Sequence, residues 1–127
     1  MTTTLHRPVC DLLGCRYPLV LAGMGGVARA ELVTAVSRAG GFGFLGMVRE
    51  PVARIRAEVA AVRAAGVERF GVNLIPAGTD PALLGAQIET LIALAVPVVG
   101  LFWDVPAPLV GRLRAAGLRV VDRKSVV

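Results

Sequence analysis

The chain has 127 residues, of which 55% are hydrophobic and 18% charged, so it can form one modest domain and is too apolar to be disordered. No apolar run reaches the roughly 18 residues that span a bilayer, and no signal peptide is visible at the N-terminus. We therefore expect a cytoplasmic protein with no membrane partner. The net charge of +5 comes from scattered arginines without interleaved aromatic residues, which argues against a nucleic-acid partner.

Cys10 and Cys15 are the only cysteines. Their separation is not a usual zinc-ligand spacing and there is no second ligand pair, so we expect no metal site. We interpret them as two ordinary thiols. A disulfide between them is the alternative, which a reducing compartment disfavours.

From the N-terminus, a short helical turn ended by Gly14 leads into a regular alternation of strands and helices. Strand-like apolar runs begin near Leu19, Gly41, Phe70, Val98 and Leu118, and helical patterns cover residues 30–39, 51–65, 81–94 and 106–116. Asp80 is a candidate N-cap, and Gly40, Gly66 and Gly117 are placed to end helices. The alternation predicts a parallel α/β sheet in a single domain with no linker.

The carboxyl ends of these strands are the expected binding edge, because α/β sheets and (β/α)8 barrels both place ligands there. In residues 70–74 the alternation puts Asn73 on the face opposite the bulky side chains. By the same reasoning we expect Phe42 and Phe44 to face the helices and the small Gly43 to face inward. The segments 23–26, 46–47, 73–75 and 102–104 should then meet at one rim.

Residues 23–28 match the dinucleotide-binding pattern G-x-G-x-x-A between a strand and a helix. A nucleotide-binding sheet also needs an acidic residue at the end of the second strand, and that strand instead ends at Gly46 and Met47. The pattern is therefore a weak signal for NAD. A tight turn without a ligand explains the glycines as well.

Several segments taken together resemble the nitronate monooxygenase family, to which flavin-dependent enoyl-ACP reductases are related. They are YPLVLAGM at 17–24, ELVTAVSRAGGFG at 31–43, FGVNL at 70–74, PVVGLF at 97–102 and LRAAGLRVV at 113–121. The resemblance implies an FMN-binding (β/α)8 TIM barrel that oxidises alkyl nitronates with O2 to a carbonyl compound and nitrite.

The resemblance also implies site residues. Ala22, Gly23 and Met24 correspond to the family's Ala-Pro-Met turn along the flavin, with glycine in place of proline, and Asn73 corresponds to its flavin-contacting asparagine. The alternative without a ligand is that Asn73 initiates a turn before Pro76.

The evidence for a functional role is weaker at two further positions. Trp103 is a candidate wall of the substrate mouth, although we favour Asp104 as a helix cap with Trp103 packed beneath it. His6, the only histidine, is expected to be exposed and without a role.

The family's catalytic histidine belongs to a Gly-Gly-His motif that this chain lacks. We therefore expect residues 1–121 to form the N-terminal half of the barrel, about four βα units plus the start of strand 5, with no catalytic residue of its own. Such a half-barrel should bind FMN poorly, turn over no nitronate, and self-associate through unpaired strand edges. Residues 122–127 read like a translated sequencing adapter, so we interpret them as a non-native tail, with a natural divergent C-terminus as the alternative.

Two alternatives to the nitronate activity stay open. One is an FMN-dependent enoyl-ACP reductase-like enzyme or another flavin oxidoreductase. The other is a non-catalytic α/β half-domain that pairs with a second chain.

Overall fold

The computed structural model describes residues 5–123, and within them each predicted strand and helix is present. The strands are β1 (Val20–Leu21), β2 (Phe42–Gly46), β3 (Gly71–Leu74), β4 (Val98–Phe102) and β5 (Arg119–Arg123). The helices are α1 (Pro8–Leu13), α2 (Ala30–Arg38), α3 (Val52–Ala64), α4 (Pro81–Ala93) and α5 (Ala107–Ala115), with a short 3-10 turn at Pro76–Gly78.

The strands form one parallel sheet in the order β1-β2-β3-β4-β5. In a dinucleotide-binding sheet the strand order reverses next to the first strand, so neighbouring strands do not follow the order of the chain. Strictly sequential order is the arrangement of a (β/α) barrel. The topology therefore excludes the NAD interpretation of residues 23–28, and the described chain is a parallel α/β half-barrel.

Helices α2 to α5 cover the outer face of this sheet. Leu45, Val72, Val99 and Leu101 point outward from the strands and are buried against apolar side chains of the helices, such as Ile55. This burial is the main stabilising contribution, at about 25 cal/mol per Å² of apolar surface. It also explains why the strands read as continuous apolar runs.

The prediction for the faces of β2 was wrong. Phe42 and Phe44 point inward, where their rings meet edge to face and pack with Leu13 of α1 and with Val98. Gly43 points outward, and a Cβ there would lie 3.0 Å from Val33 Cγ1 of α2. The reason is steric: α2 approaches β2 too closely for a side chain, while the interior above α1 has room for two aromatic rings.

The predicted helix ends are confirmed. Asp80 Oδ2 accepts hydrogen bonds from the backbone N–H groups of Ala82 and Leu83, both at 3.1 Å. Gly40, Gly66 and Gly117 have φ values of 99°, 80° and 86°, as expected for glycines that follow helices.

The edges of the half-barrel are β1 and β5, each paired on one side. Asp122 and Arg123 belong to β5 and pair with Leu101 and Phe102, so the strand continues two residues past its predicted end at Val121. The other four residues of the predicted tail lie outside the described residues. Between residues 5 and 123 we find no helix with the length and apolarity to cross a membrane.

Candidate functional site

Asn73 and Gly23 meet at the carboxyl end of the sheet. Asn73 lies within β3, is 6% exposed, and donates from Nδ2 to the carbonyl oxygen of Gly23 at 3.4 Å. The register places it between Gly46 of β2 and Gly100 of β4. The alternative that Asn73 initiates a turn is therefore wrong, because its backbone pairs with both neighbouring strands.

Close backbone approach explains two glycines of this rim. A Cβ on Gly23 would lie 2.3 Å from Asn73 Cβ, and a Cβ on Gly46 would lie 2.3 Å from the carbonyl oxygen of Met24. Both distances are far below van der Waals contact. The turn after β1 therefore rests directly on β2 and β3, and this contact brings Ala22, Gly23 and Met24 to the same rim as Asn73.

A cavity of about 280 Å³ opens beside Ala22, Gly23 and Asn73, whereas the Met24 side chain is exposed and does not line it. Its lining combines predicted site residues with others that the sequence analysis missed: Val20, Ala22, Gly23, Phe44, Asn73, Gly100, Val121 and Arg123. Strand alternation in residues 98–102 would have found Gly100, which lies on the face opposite Leu101. Arg123 was missed because it falls in the predicted tail.

The lining fits the ring portion of a flavin. Its mostly apolar and glycine wall suits a flat aromatic system, and Asn73 offers the polar contact. Within residues 5–123 no hydrogen-bond donor reaches Asn73 Oδ1, so this oxygen is available to an N–H of a ligand. Arg123, whose guanidinium carbon lies 5.6 Å from the centre of the Phe102 ring, adds a positive charge beside the cavity.

The loops behind the rim are held by polar side chains. Arg29, just before α2, forms an ion pair with Glu50 in the turn after β2. Gln87 of α4 is fully buried, and its Nε2 donates to the carbonyl oxygens of Met47 and Glu50 at 3.2 and 2.8 Å. The ion pair fixes the loops after β1 and β2 relative to each other, and Gln87 fixes the loop after β2 to α4.

The N-terminus of α2 already has an anionic partner. The backbone N–H of Ala30, the first residue of this helix, donates to Glu58 Oε2 of α3 at 2.7 Å. A phosphate at this helix end would have to displace a carboxylate. This contact is a second argument against a nucleotide phosphate on the glycine turn.

The favoured interpretation of Trp103 and Asp104 was wrong. α5 begins with Pro106 at its N-cap and has no side-chain cap. Trp103 is 57% exposed and stacks on Phe102 with ring centres 5.3 Å apart, instead of packing beneath the helix. Both Trp103 and Asp104 have positive φ, at 59° and 38°, so the chain turns sharply where β4 ends.

His6 lies beside α1, at the opposite end of the strands from Asn73. Its side chain is 49% exposed, as predicted, and its Nε2 is 2.9 Å from Asp11 Oδ1. The only histidine of the chain is therefore absent from the rim.

Comparisons with known proteins agree with this architecture. The family model for nitronate monooxygenase matches residues 6–93. The chain is 34% identical, over 92% of its length, to (3aS,4S,5R,7aS)-5-hydroxy-7a-methyl-1-oxo-octahydro-1H-indene-4-carboxyl-CoA dehydrogenase of Mycobacterium tuberculosis. It is 36% identical, over 63% of its length, to nitronate monooxygenase of Pseudomonas aeruginosa. The chain covers 32% and 24% of these two proteins, a third of their length or less.

Solved structures show the same fold. FabK from Thermotoga maritima matches with a TM-score of 0.84 and 28% identity, over 94% of this chain and 37% of that one. Nitroalkane oxidase from Streptomyces ansochromogenes matches with a TM-score of 0.76 and 27% identity, over 90% of this chain and 41% of that one.

Proposed function

Since this chain belongs to the nitronate monooxygenase family, we propose that it supplies the first half of an FMN-dependent barrel that oxidises alkyl nitronates with O2 to a carbonyl compound and nitrite. The observation that carries the proposal is the contact between Asn73 Nδ2 and the Gly23 carbonyl oxygen. It joins the two segments that the family resemblance assigns to the flavin.

Bound FMN would supply the redox chemistry, taking electrons from the substrate and passing them to O2. The residues of this chain would hold and orient the ring. Asn73 would direct its free Oδ1 to a ring N–H, and the backbone of residues 22–24 would lie along one edge. Gly100 makes room for the Phe44 ring, because a Cβ at this position would lie 2.9 Å from Phe44 Cε1. The Phe44 ring would form part of the apolar wall of the cavity.

Trp103 is proposed as a wall of the substrate mouth. Its ring is exposed beyond β4 and held by stacking on Phe102. An apolar surface here would suit the alkyl part of a nitronate and would help to keep water from the site.

A second candidate is a flavin-family dehydrogenase that acts on a CoA thioester. It is supported by the 34% identity to the Mycobacterium tuberculosis dehydrogenase over nearly the whole chain. In a complete barrel that contains this chain, nitrite release from a nitronate would distinguish the first activity, and oxidation of an acyl-CoA the second.

The test begins with a fluorescence titration of this chain with FMN. We expect weak binding, and about fivefold weaker binding for Asn73→Ala, because one hydrogen bond is worth about 1 kcal/mol. Glu31→Ala, on the exposed face of α2, is the control and should bind as wild type does. Equal affinity in Asn73→Ala, with its fold shown intact by circular dichroism, would contradict the assigned role.

The same samples, given an alkyl nitronate and O2, should release no nitrite. His6 is paired with Asp11 far from the rim and cannot serve as the base. Nitrite formation by this chain alone would show that the described half-barrel carries the full chemistry.

A further inference from the structure

The two cysteines lie next to each other at the end of α1, and the backbone explains why. Gly14 is left-handed, with φ of 73°, and ends the helix. The N–H groups of Gly14 and Cys15 both donate to the carbonyl oxygen of Cys10, at 2.8 and 3.0 Å. This type of helix end frequently brings the side chain of the residue after the glycine against that of the residue five positions earlier. Here those two residues are Cys10 and Cys15.

The side chains follow the backbone. The Cys10 thiol is close enough to the Cys15 thiol to raise its pKa. Cys10 is 1% exposed, whereas Cys15 is partly exposed and lines an open cavity of about 380 Å³. One thiol of the pair is therefore accessible and the other is protected.

We propose that Cys10 and Cys15 form a redox-sensitive dithiol that closes to an intramolecular disulfide when it meets hydrogen peroxide. The inference is independent of the flavin site, because α1 lies at the other end of the strands. Disulfide formation would fix the last turn of α1 to the segment that leads into β1. This turn places Leu13 against Phe42 and Phe44.

The reaction balances in two steps. The Cys15 thiolate attacks one oxygen of hydrogen peroxide, the O–O bond breaks, and hydroxide leaves, which gives a sulfenic acid on Cys15. The Cys10 sulfur then attacks the Cys15 sulfur, the S–O bond breaks, and the oxygen leaves as water with the Cys10 proton. The two thiols are oxidised, and the peroxide is reduced to two molecules of water once the hydroxide takes up the proton released from Cys15.

The first step should be slow at neutral pH. Burial raises the pKa of the Cys15 thiol above its usual range, and the neighbouring Cys10 raises that pKa further. The charged groups that line the same cavity are Arg16, Arg38, Glu68 and Arg69. Because only the thiolate attacks, the oxidation rate should rise about tenfold per pH unit below that pKa.

The test uses the full chain, reduced and then treated with hydrogen peroxide at several pH values. We expect both thiols to be lost and the intact mass to fall by two hydrogen atoms. Trypsin should leave both cysteines in one peptide that ends at Arg16, and dithiothreitol should restore its mass. Cys15→Ser, a change at the more accessible position, should keep its buried Cys10 thiol reduced under the same treatment.

Three results with the wild-type chain would overturn the proposal. They are oxygen addition to Cys15 with the Cys10 thiol intact, disulfides formed only between two chains, and no thiol loss, even at the highest pH tested, at peroxide concentrations that oxidise a free cysteine. A Cys15→Ser variant that loses its Cys10 thiol as fast as wild type would also contradict it, because Cys10 would then react by itself.

Discussion

At the scale of single residues, Gly23 and Asn73 show which features of the site could be predicted from the sequence. The alternation of β3 predicted that Asn73 would be an inward amide near the strand end, and the structure confirms this position. The need for glycine at position 23 could not be predicted, because it depends on a neighbour fifty positions away along the chain. The absence of a side chain at Gly23 permits close contact with Asn73.

The first prediction at this scale concerns Gly23→Ala. The added Cβ would lie 2.3 Å from Asn73 Cβ, and both atoms are fixed to backbone, so the turn or β3 must shift. We expect a loss of about 1–3 kcal/mol in the free energy of unfolding, measured by urea denaturation. Gly25→Ala is a matched control two residues away, where a Cβ meets nothing within 4 Å. Equal stability of the two variants would contradict the close contact.

At the scale of elements, local sequence signals predicted where the helices end, but strand alternation did not predict which face of β2 meets the helices. Proline, glycine and Asp80 marked helix ends that the structure confirms within one or two residues. The faces of β2 were predicted wrongly, because a strand buried on both sides has no polar residue to show which face meets the helices. The packing of Val33 against Gly43 decides the question, and that contact is tertiary.

The helix cap of α4 gives a test at this scale. Asp80 accepts two backbone hydrogen bonds, so Asp80→Ala should lower the free energy of unfolding by about 1 kcal/mol. Asp80→Asn keeps an oxygen acceptor at the same place and should recover most of the loss. Thermal or urea unfolding of the three proteins measures the difference. If the asparagine variant were as unstable as the alanine variant, capping would not be the cause.

At the scale of the whole molecule, strand order decides between two ligand classes that share a glycine-rich turn. Residues 23–28 fit a nucleotide pattern, yet sequential order and the Glu58 contact at α2 exclude that site. The sequence alone could favour the barrel only through its resemblance to a family. Self-association through the edges β1 and β5, and the origin of residues 122–127, stay predictions.

The central claim is that the carboxyl ends of β1 to β4 form one rim that receives a flavin ring. Two-dimensional NMR of the labelled chain during titration with FMN tests it most directly, because it detects weak binding and locates it. We predict that the largest shifts will fall on the backbone amides of Gly23, Met24 and Gly100 and on the side-chain amide of Asn73. Shifts centred instead on the cavity beside Cys15 and Arg16, at the other end of the strands, would contradict the account.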